Sequence, residues 1–194
     1  MLRVVSLQDL INNFSNDEIK IILSEFKSVP KSYGKINDVE HFLFEKSILF
    51  ENMGLSTTHL IFNSDNMLLG YFSLANKPLI MSKKNYNLLS NNKKKKLFGY
   101  GSRDYNDNFI INAYLIGQLG KNYKYKDKIN GKDILSFAYR YLLEAKRYVN
   151  SRFVWLECED NPKLLDFYKN FGFEEVDKFE SKNELKVLIM RLKE

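Results

Sequence analysis

The chain has 194 residues, of which 44 % are hydrophobic and 28 % are charged, so it can bury a sizeable core and is too apolar to be disordered. A single cysteine, Cys158, excludes an internal disulfide framework and a cysteine-based zinc cluster, and two histidines are too few for a multi-histidine site. We therefore expect no metal. The net charge of +6 permits an anionic partner but does not name one.

The N-terminal segment does not have the pattern of a targeting sequence. Gln8 and Asp9 follow only a few apolar residues, which leaves no signal-peptide core. No stretch reaches the roughly 18 consecutive apolar residues of a membrane-spanning helix. We expect a cytoplasmic protein without a membrane segment.

The first quarter of the chain has helical periodicity. Apolar residues recur at intervals of three and four over 7–28 and over 37–53, which predicts helices there. The sequence Asn16-Asp17-Glu18 is typical of a helix cap and divides the first stretch into two helices. Gly54 is the expected C-cap of the second stretch.

The period then changes to that of β-strands. The runs 57–63 and 67–75 flank a turn at 64–66, which predicts an antiparallel hairpin. His59 lies in this hairpin, where we expect a satisfied structural or surface histidine rather than a ligand.

Residues 82–108 are polar and predict irregular structure, and 109–119 form the longest apolar run, which predicts a central strand. The polar segment contains the lysine run Lys93–Lys96. We interpret this run as a solvated helix end or surface loop, with a patch for phosphates or an acidic acceptor as the alternative.

The second half alternates between helix and strand. The pattern predicts a helix over 131–149, a strand over 152–158, a helix over 161–170 and strands over 173–179 and 185–192. Strand–helix–strand units favour parallel pairing and hairpins favour antiparallel pairing. The expected fold is α/β, with a mixed sheet flanked by helices.

One segment has the features of an anion site. A strand ends at Leu119-Gly120, the loop 121–130 follows, and a helix opens at Gly131. The unpaired N–H groups and the dipole of a helix start attract anions, so a pyrophosphate would be stabilised here. Lysines add positive charge: Lys121, Lys124, Lys126, Lys128 and Lys132. An ordinary strand-to-helix turn is the alternative.

A second segment, 161–173, combines a helix with a candidate acid. Asn161 can cap this helix, and Gly172 can take the left-handed position at its end. Tyr168 is either a packed phenol or, if it points into a cleft, a general acid.

These segments resemble a known family. The spacing Asn-x-x-x-x-x-Phe-Tyr-x-x-x-Gly-Phe is similar to the C-terminal motif of the GNAT superfamily of N-acetyltransferases. The matching residues are Asn161, Phe167, Tyr168, Gly172 and Phe173. The segment 114–122 resembles the family's fourth strand, and 131–135 lies where its acyl-CoA loop enters a helix. Leu164 stands where the family usually has Ala.

The resemblance implies a single GNAT-like domain over 1–194. It is specific over about 110–180, and 1–56 forms a helical N-terminal part that fits more loosely. The implied fold is a mixed sheet of six to seven strands flanked by helices and splayed between the fourth and fifth strands. Lys128 and Asp133 depart from the family's Gln/Arg-x-x-Gly-x-Gly/Ala loop. Asp133 either brings a negative charge toward a diphosphate, points away or caps the helix.

The resemblance also implies a cofactor and its ligands. Acetyl-CoA would be the acyl donor, and backbone groups near Leu119 and Lys121 would pair with its pantetheine arm. Asn161 would hold the cofactor or the cleft wall, with Phe167 among the cofactor-binding residues. Amides of one loop would bind the diphosphate: Lys128, Ile129, Asn130, Gly131, Lys132 and Asp133.

The implied reaction is direct attack of a neutral amine on the thioester, with Tyr168 protonating the departing thiolate. Glu157 and Glu159 share a face at the end of the fifth strand, and Glu157 is the candidate general base. Solvent-exposed acids are the alternative. Cys158 would face the packed side as a buried residue rather than a nucleophile.

The sequence thus predicts an acetyl-CoA-dependent N-acetyltransferase acting on a small-molecule or macromolecular primary amine. One alternative is an enzyme like the tRNA-acetylating toxins, because Gly117-Gln118-Leu119-Gly120 is similar to their strand and nucleic acid would suit the charge. Others are a non-catalytic CoA-binding GNAT-like module and a basic nucleic-acid-binding protein without a CoA site. A homodimer is possible through an edge strand.

Overall fold

The computed structural model describes residues 1–29, 37–176, 179, 181 and 184–193. The chain divides into two compact units. Unit 1 comprises Met1–Ala75 and Ile116–Tyr141, and unit 2 comprises Asn76–Leu115 and Leu142–Glu194. A single domain over the whole chain stays a prediction.

The helices follow the predicted periodicity over most of the chain. The described residues form eight α-helices: α1 (Leu7–Asn13), α2 (Asn16–Ser24), α3 (Asp38–His41), α4 (Ser47–Asn52), α5 (Lys83–Leu88), α6 (Asn91–Phe98), α7 (Gly131–Tyr148) and α8 (Pro162–Phe171). A π-helical turn, Phe42–Lys46, joins α3 to α4, and a short 3-10 turn, Tyr123–Tyr125, precedes α7.

The strands form two sheets. The described residues give ten strands: β1 (Arg3–Ser6), β2 (Thr57–Phe62), β3 (Leu68–Asn76), β4 (Leu79–Met81), β5 (Gly101–Arg103), β6 (Phe109–Ile111), β7 (Ala113–Lys121), β8 (Phe153–Cys158), β9 (Glu174–Glu175) and β10 (Lys186–Arg191). Seven of them form a mixed sheet in the order β1-β2-β3-β7-β8-β10-β9, and β4-β6-β5 form a second sheet. The predicted mixed sheet is confirmed, with seven strands.

In unit 1, the predicted division of 7–28 into two helices is confirmed, but the cap is Ser15. Its hydroxyl accepts a hydrogen bond from the Glu18 N–H at 3.4 Å, and the Glu18 carboxylate accepts one from the Ser15 N–H at 2.8 Å. This capping box satisfies two groups that a helix start would leave unpaired. The helical stretch 37–53 is also confirmed, but its C-cap is Met53 and not the predicted Gly54. Gly54 follows the cap with a φ of +65°, which suits glycine.

The predicted hairpin is confirmed as β2 and β3, which pair antiparallel with Leu60 opposite Tyr71. The strand β1, which pairs antiparallel with β2, was not predicted. Its four residues are half-buried or exposed, so no apolar alternation marks them. Tyr71 is fully buried in the core, and its hydroxyl donates a hydrogen bond to the Val39 carbonyl at 2.6 Å.

His59 is a structural residue, but it is not fully satisfied. Its ring lies 4.9 Å from the ring of Phe72 and 4.5 Å from that of Tyr141 on α7. The buried Nδ1 has no hydrogen-bond partner among the described residues. Burial lowers the pKa of His59 to about 4, so the ring is neutral at physiological pH.

In unit 2, two predictions over 82–119 were wrong. The segment 82–108 is not irregular, because it contains α5, α6 and β5, and the lysine run lies on α6. The apolar run 109–119 is not one strand. It breaks at the exposed Asn112, where the chain leaves β6 in the small sheet and begins β7 in the large one. An apolar run by itself does not show which sheet each half joins.

The C-terminal half follows the prediction for α7, β8, α8 and β10. β10 pairs antiparallel with β8, and the described part of the predicted strand 173–179 contains the two-residue β9. Residues 177, 178, 182 and 183, which include part of the predicted turn, lie outside the described residues. β7 pairs in parallel with β8 at Ala113, Tyr114 and Leu115. The expected splay beyond these positions stays a prediction.

Candidate functional site

The end of β7 is fixed from inside unit 1 by Asn122. This residue is fully buried, and its side-chain amide donates to the carbonyls of Glu25 and Leu68 at 2.8 and 2.7 Å. Its side-chain oxygen accepts from the N–H groups of Lys27 and Lys124, each at 3.0 Å. Both the donor and the acceptor group of the Asn122 side chain are therefore engaged in hydrogen bonds, and the chain leaves β7 in one defined direction.

Sequence reasoning missed Asn122. The signal available was a polar amide directly after an apolar strand, where a buried side chain is the exception. The preceding Gly120 is required for the same packing, because a Cβ there would lie 2.8 Å from side-chain atoms of Tyr71 and Val39. The half-buried Leu119 and Lys121 flank this glycine.

The loop after β7 is basic, but its lysines differ in their surroundings. Lys124 forms an ion pair with Glu25, and the Lys121 ammonium lies 5.5 Å above the Tyr123 ring. Lys128 and Lys132 are exposed. Ile129 is only 5 % exposed and anchors the loop next to the helix start.

The hydrogen bonds at the start of α7 show which of the expected roles Asp133 has. The Asn130 side chain accepts a hydrogen bond from the Asp133 N–H at 2.9 Å, and the Asp133 carboxylate accepts one from the Asn130 N–H at 3.1 Å. Asp133 therefore caps its own helix in a reciprocal pair. The N–H groups of Gly131 and Lys132, in the first turn, have no intrahelical acceptor. Two backbone donors thus remain for an anion at this helix start.

In unit 2, α8 presents Tyr168 within an aromatic cluster. Asn161 caps the helix as predicted, with its side-chain oxygen accepting from the Lys163 and Leu164 N–H groups at 3.0 and 3.4 Å. Gly172 ends the helix with a φ of +122°. The Tyr168 ring lies 5.0 Å from that of Phe167 and 5.8 Å from that of Phe173.

The Tyr168 side chain is buried, which affects the protonation of its hydroxyl. Tyr168 is 7 % exposed, and burial raises its pKa well above the ordinary value, with a smaller contribution from Cys158. The hydroxyl therefore keeps its proton at neutral pH.

The β8 end of unit 2 carries the other candidate residues. Glu157 is exposed, opposite Val187 in the register with β10. Cys158 is 6 % exposed, and burial together with the carboxylates of Glu175, Asp160 and Glu159 raises its pKa to about 11. A protonated, buried thiol fits the predicted structural role and not that of a nucleophile.

The predicted site residues thus fall into two groups. Unit 1 holds the predicted cofactor residues from Leu119 to Asp133, and unit 2 holds Asn161, Phe167, Tyr168 and Glu157. Within the described ranges, no set of three or more His, Cys, Asp and Glu side chains is placed to hold a metal ion. None of the described helices has the length and apolar character needed to cross a membrane.

Comparisons with known proteins find similar three-dimensional structures but no matching family model or curated protein. A solved structure described as a bacterial toxin has a TM-score of 0.68 at 12 % identity and covers 99 % of this chain and 91 % of its own. AtaT complexed with acetyl-methionyl-tRNAfMet has a TM-score of 0.64 at 18 % identity, with 98 % and 95 % covered.

Two further solved structures are similar to this chain. AtaTR bound with acetyl-CoA has a TM-score of 0.60 at 16 % identity and covers 98 % of this chain and 93 % of its own. An acetyltransferase of the GNAT family from Staphylococcus aureus Mu50 has a TM-score of 0.56 at 17 % identity, with all of both chains covered. The chain therefore has the fold of the GNAT superfamily, as its C-terminal motif predicted.

Proposed function

We propose that this protein is an acetyl-CoA-dependent N-acetyltransferase that transfers the acetyl group to a primary amine. The observation that carries the proposal is the start of α7, where Gly131 and Lys132 keep two backbone N–H groups free for a diphosphate. The fold, and the acetyl-CoA bound to the similar AtaTR, support the same donor.

The residues of unit 1 fit the proposed donor. Backbone groups near Leu119 and Lys121 are assigned to the pantetheine arm, and the amides from Lys128 to Lys132 to the diphosphate. The Asp133 carboxylate accepts a hydrogen bond from the Asn130 N–H. This hydrogen bond stabilises the negative charge of Asp133 at the helix start. In unit 2, the Asn161 oxygen is engaged in the helix cap, which leaves its amide N–H₂ for the donor.

The proposed chemistry needs no covalent enzyme intermediate. Bound acetyl-CoA supplies a thioester carbonyl, at which the C–N bond forms as the C–S bond breaks. Tyr168 holds the proton that the departing sulfur requires, because burial keeps its phenol neutral. The exposed Glu157 is assigned the proton that the amine loses, directly or through water.

Release of CoA thiol in the presence of an amine panel tests this function. The expected result is thiol release that depends on both acetyl-CoA and one class of amine, with the mass of the amine increased by one acetyl group. Acetyl-CoA binding without thiol release across the panel would favour the non-catalytic CoA-binding module instead.

A second candidate is an enzyme that acetylates aminoacyl-tRNA, and a basic cavity in unit 2 favours it. The cavity has a volume of about 390 Å³ and an apolar floor that includes Leu97 and Ile189. The lining includes one carboxylate, that of Glu174, which pairs with Lys96 at 3.1 Å. It also includes five cationic side chains: Lys93, Lys95, Lys96, Arg191 and Lys193. Beside it, the guanidinium groups of Arg152 and Arg191 lie 5.2 and 5.6 Å from the Tyr100 ring.

Binding of this kind depends on salt, because phosphate contacts release counterions. If tRNA is the acceptor, Lys95→Glu weakens tRNA binding in fluorescence anisotropy and lowers its salt dependence. Lys20→Glu, an equal charge change at an exposed position of α2, is the matched control. Equal effects of the two variants would indicate non-specific attraction and argue against this acceptor.

A further inference from the structure

The cavity of unit 2 has an apolar floor as well as cationic side chains. Its volume of about 390 Å³ lies in the range of small-molecule binding sites. Leu97, Phe153 and Ile189 line it, and all three belong to the hydrophobic core cluster of this unit. An apolar group that enters the cavity and covers these side chains would be removed from water, which is favourable.

Two arginines beside the cavity have no carboxylate partner. The guanidinium groups of Arg152 and Arg191 lie 5.2 and 5.6 Å from the centroid of the Tyr100 ring. Among the described residues, arginine–carboxylate ion pairs are formed by Arg103 and Arg147 and not by these two. Two positive charges beside one ring repel each other, so an anion bound next to them would stabilise both.

The lysines of the cavity differ in the same respect. Lys96 pairs with Glu174, the single carboxylate of the described lining, and the Lys93 ammonium donates to the Glu175 carbonyl. Lys95 is exposed and has no carboxylate partner among the described residues. The unneutralised charge therefore lies on Lys95 together with the two arginines.

We propose that this cavity binds a small organic anion. Its apolar body covers Leu97, Phe153 and Ile189, and its anionic group lies on the guanidinium groups of Arg152 and Arg191, which bind planar oxyanions through paired N–H donors. The inference goes beyond the proposed acetyl transfer and does not depend on it. It also differs from tRNA binding, because phosphate contacts would use the cationic side chains and leave the apolar floor uncovered.

Titration with 3-phenylpropionate, followed by amide chemical shifts in NMR at neutral pH, tests the site. Propionate has the same charge without the ring, and 3-phenylpropanol has the ring without the charge. The expected result is saturable shifts at the lining residues Leu97, Tyr100 and Gly172, with binding of 3-phenylpropionate about tenfold or more tighter than that of either control.

Each control has an outcome that would overturn the proposal. Equal binding of propionate would reduce the site to its charge, and equal binding of 3-phenylpropanol would reduce it to its apolar floor. Shifts that leave the three amides unchanged would place the probe elsewhere. A fourth probe, 2-phenylethyl phosphate, identifies the anionic group: tighter binding than 3-phenylpropionate assigns a phosphate, and weaker binding assigns a carboxylate.

Variants separate binding from folding. Arg191→Gln, at an exposed position of β10, removes one charge, so the affinity for 3-phenylpropionate falls about tenfold while the urea midpoint holds. The matched control is Arg140→Gln, because Arg140 is also exposed and lies 5.9 Å from an aromatic ring, that of Phe137. An equal loss of affinity in both variants would indicate non-specific attraction. A lowered midpoint with unchanged affinity would make Arg191 structural, and either result contradicts the proposal.

Two further titrations on the same sample keep the proposals apart. Binding of 3-phenylpropionate without binding of acetyl-CoA keeps this site and overturns the proposed enzyme, and the opposite result overturns this site alone. Binding of tRNA that Lys95→Glu weakens, with no binding of 3-phenylpropionate, would assign the cavity to RNA and overturn the inference.

Discussion

The start of α7 and the surroundings of Tyr168 are opposite kinds of environment. At the α7 start, the proposed ligands are backbone N–H groups, and the side chains of the exposed Asn130 and the half-buried Asp133 cap the helix. Around Tyr168, one hydroxyl is buried among aromatic rings and has a strongly raised pKa. In the proposed function, the first region binds a charged group through backbone N–H groups, and the second holds a proton on one side chain.

The kind of donor in each region determines which substitutions remove it. A backbone donor is lost only when the chain path changes or when the N–H itself is removed. A side-chain donor is lost in a single substitution that leaves the fold intact. The effects below follow from this contrast, from the largest to the smallest.

Tyr168→Phe removes the proposed proton donor and keeps the ring contacts with Phe167 and Phe173. We expect kcat to fall by about a hundredfold to ten-thousandfold, with acetyl-CoA affinity unchanged. Release of CoA thiol measures kcat, and calorimetry measures the affinity for acetyl-CoA. Tyr148→Phe, at an exposed residue, is the control. Full activity of the Tyr168 variant would remove this residue from the mechanism.

Asn122→Ala disrupts the chain path into the loop. Four backbone groups lose the hydrogen bonds that hold the end of β7, so we expect stability to fall by roughly 3 kcal/mol and acetyl-CoA affinity to fall with it. Urea denaturation measures the stability, with the exposed Asn12→Ala as the control. An unchanged midpoint would mean that water replaces the amide at no cost.

Gly131→Pro removes one proposed donor without breaking the helix, because proline is tolerated at the first helical position. We expect acetyl-CoA affinity to fall about tenfold or more relative to Gly131→Ala, which keeps the N–H. Circular dichroism checks that α7 persists. Equal affinities of the two variants would show that the backbone donor is not used.

The pH dependence of stability tests how His59 holds α7, because the His59 ring packs on Tyr141 of that helix. Its pKa of about 4 in the fold lies below the ordinary value of about 6.5, so the folded state binds this proton more weakly than the unfolded chain does. Stability therefore falls as the pH drops, by up to about 2 kcal/mol between about pH 6.5 and pH 5.

The matched variants are His59→Phe and His41→Gln, compared by urea denaturation across this pH range. The His59 variant should lose the extra pH dependence and the His41 variant should keep it. Parallel curves for wild type and His59→Phe would contradict the buried neutral ring.

Asp133→Asn has the smallest expected effect. Asn still offers an oxygen to the Asn130 N–H, but the negative charge near the diphosphate is gone. We expect acetyl-CoA affinity to rise about threefold at low salt, and less at high salt. A fall in affinity would show that the charge helps to hold the loop in its binding form.

The sequence predicted the long periodic elements and the motif, because those signals are local. The apolar stripe of α7 and the cap–glycine pair of Asn161 and Gly172 are visible in the chain itself. Asn112 and Asn122 were harder, because both are single polar residues beside apolar strands. One is exposed where the chain changes sheets and the other is buried with every hydrogen bond made. Only the tertiary partners distinguish them.

The candidate site was predictable in part for the same reason. Spacing pointed to Tyr168 and to the α7 start, whereas the capping role of Asp133 was one of several open possibilities until its partner Asn130 was located.

Calorimetric titration of the wild-type protein with acetyl-CoA tests the central claim most directly, with desulfo-CoA and ADP as controls. The account predicts saturable binding of acetyl-CoA in the micromolar range and comparable binding of desulfo-CoA, since both carry the diphosphate and the pantetheine arm. ADP, which lacks the arm, should bind more weakly. No heat of binding at millimolar acetyl-CoA would contradict the account.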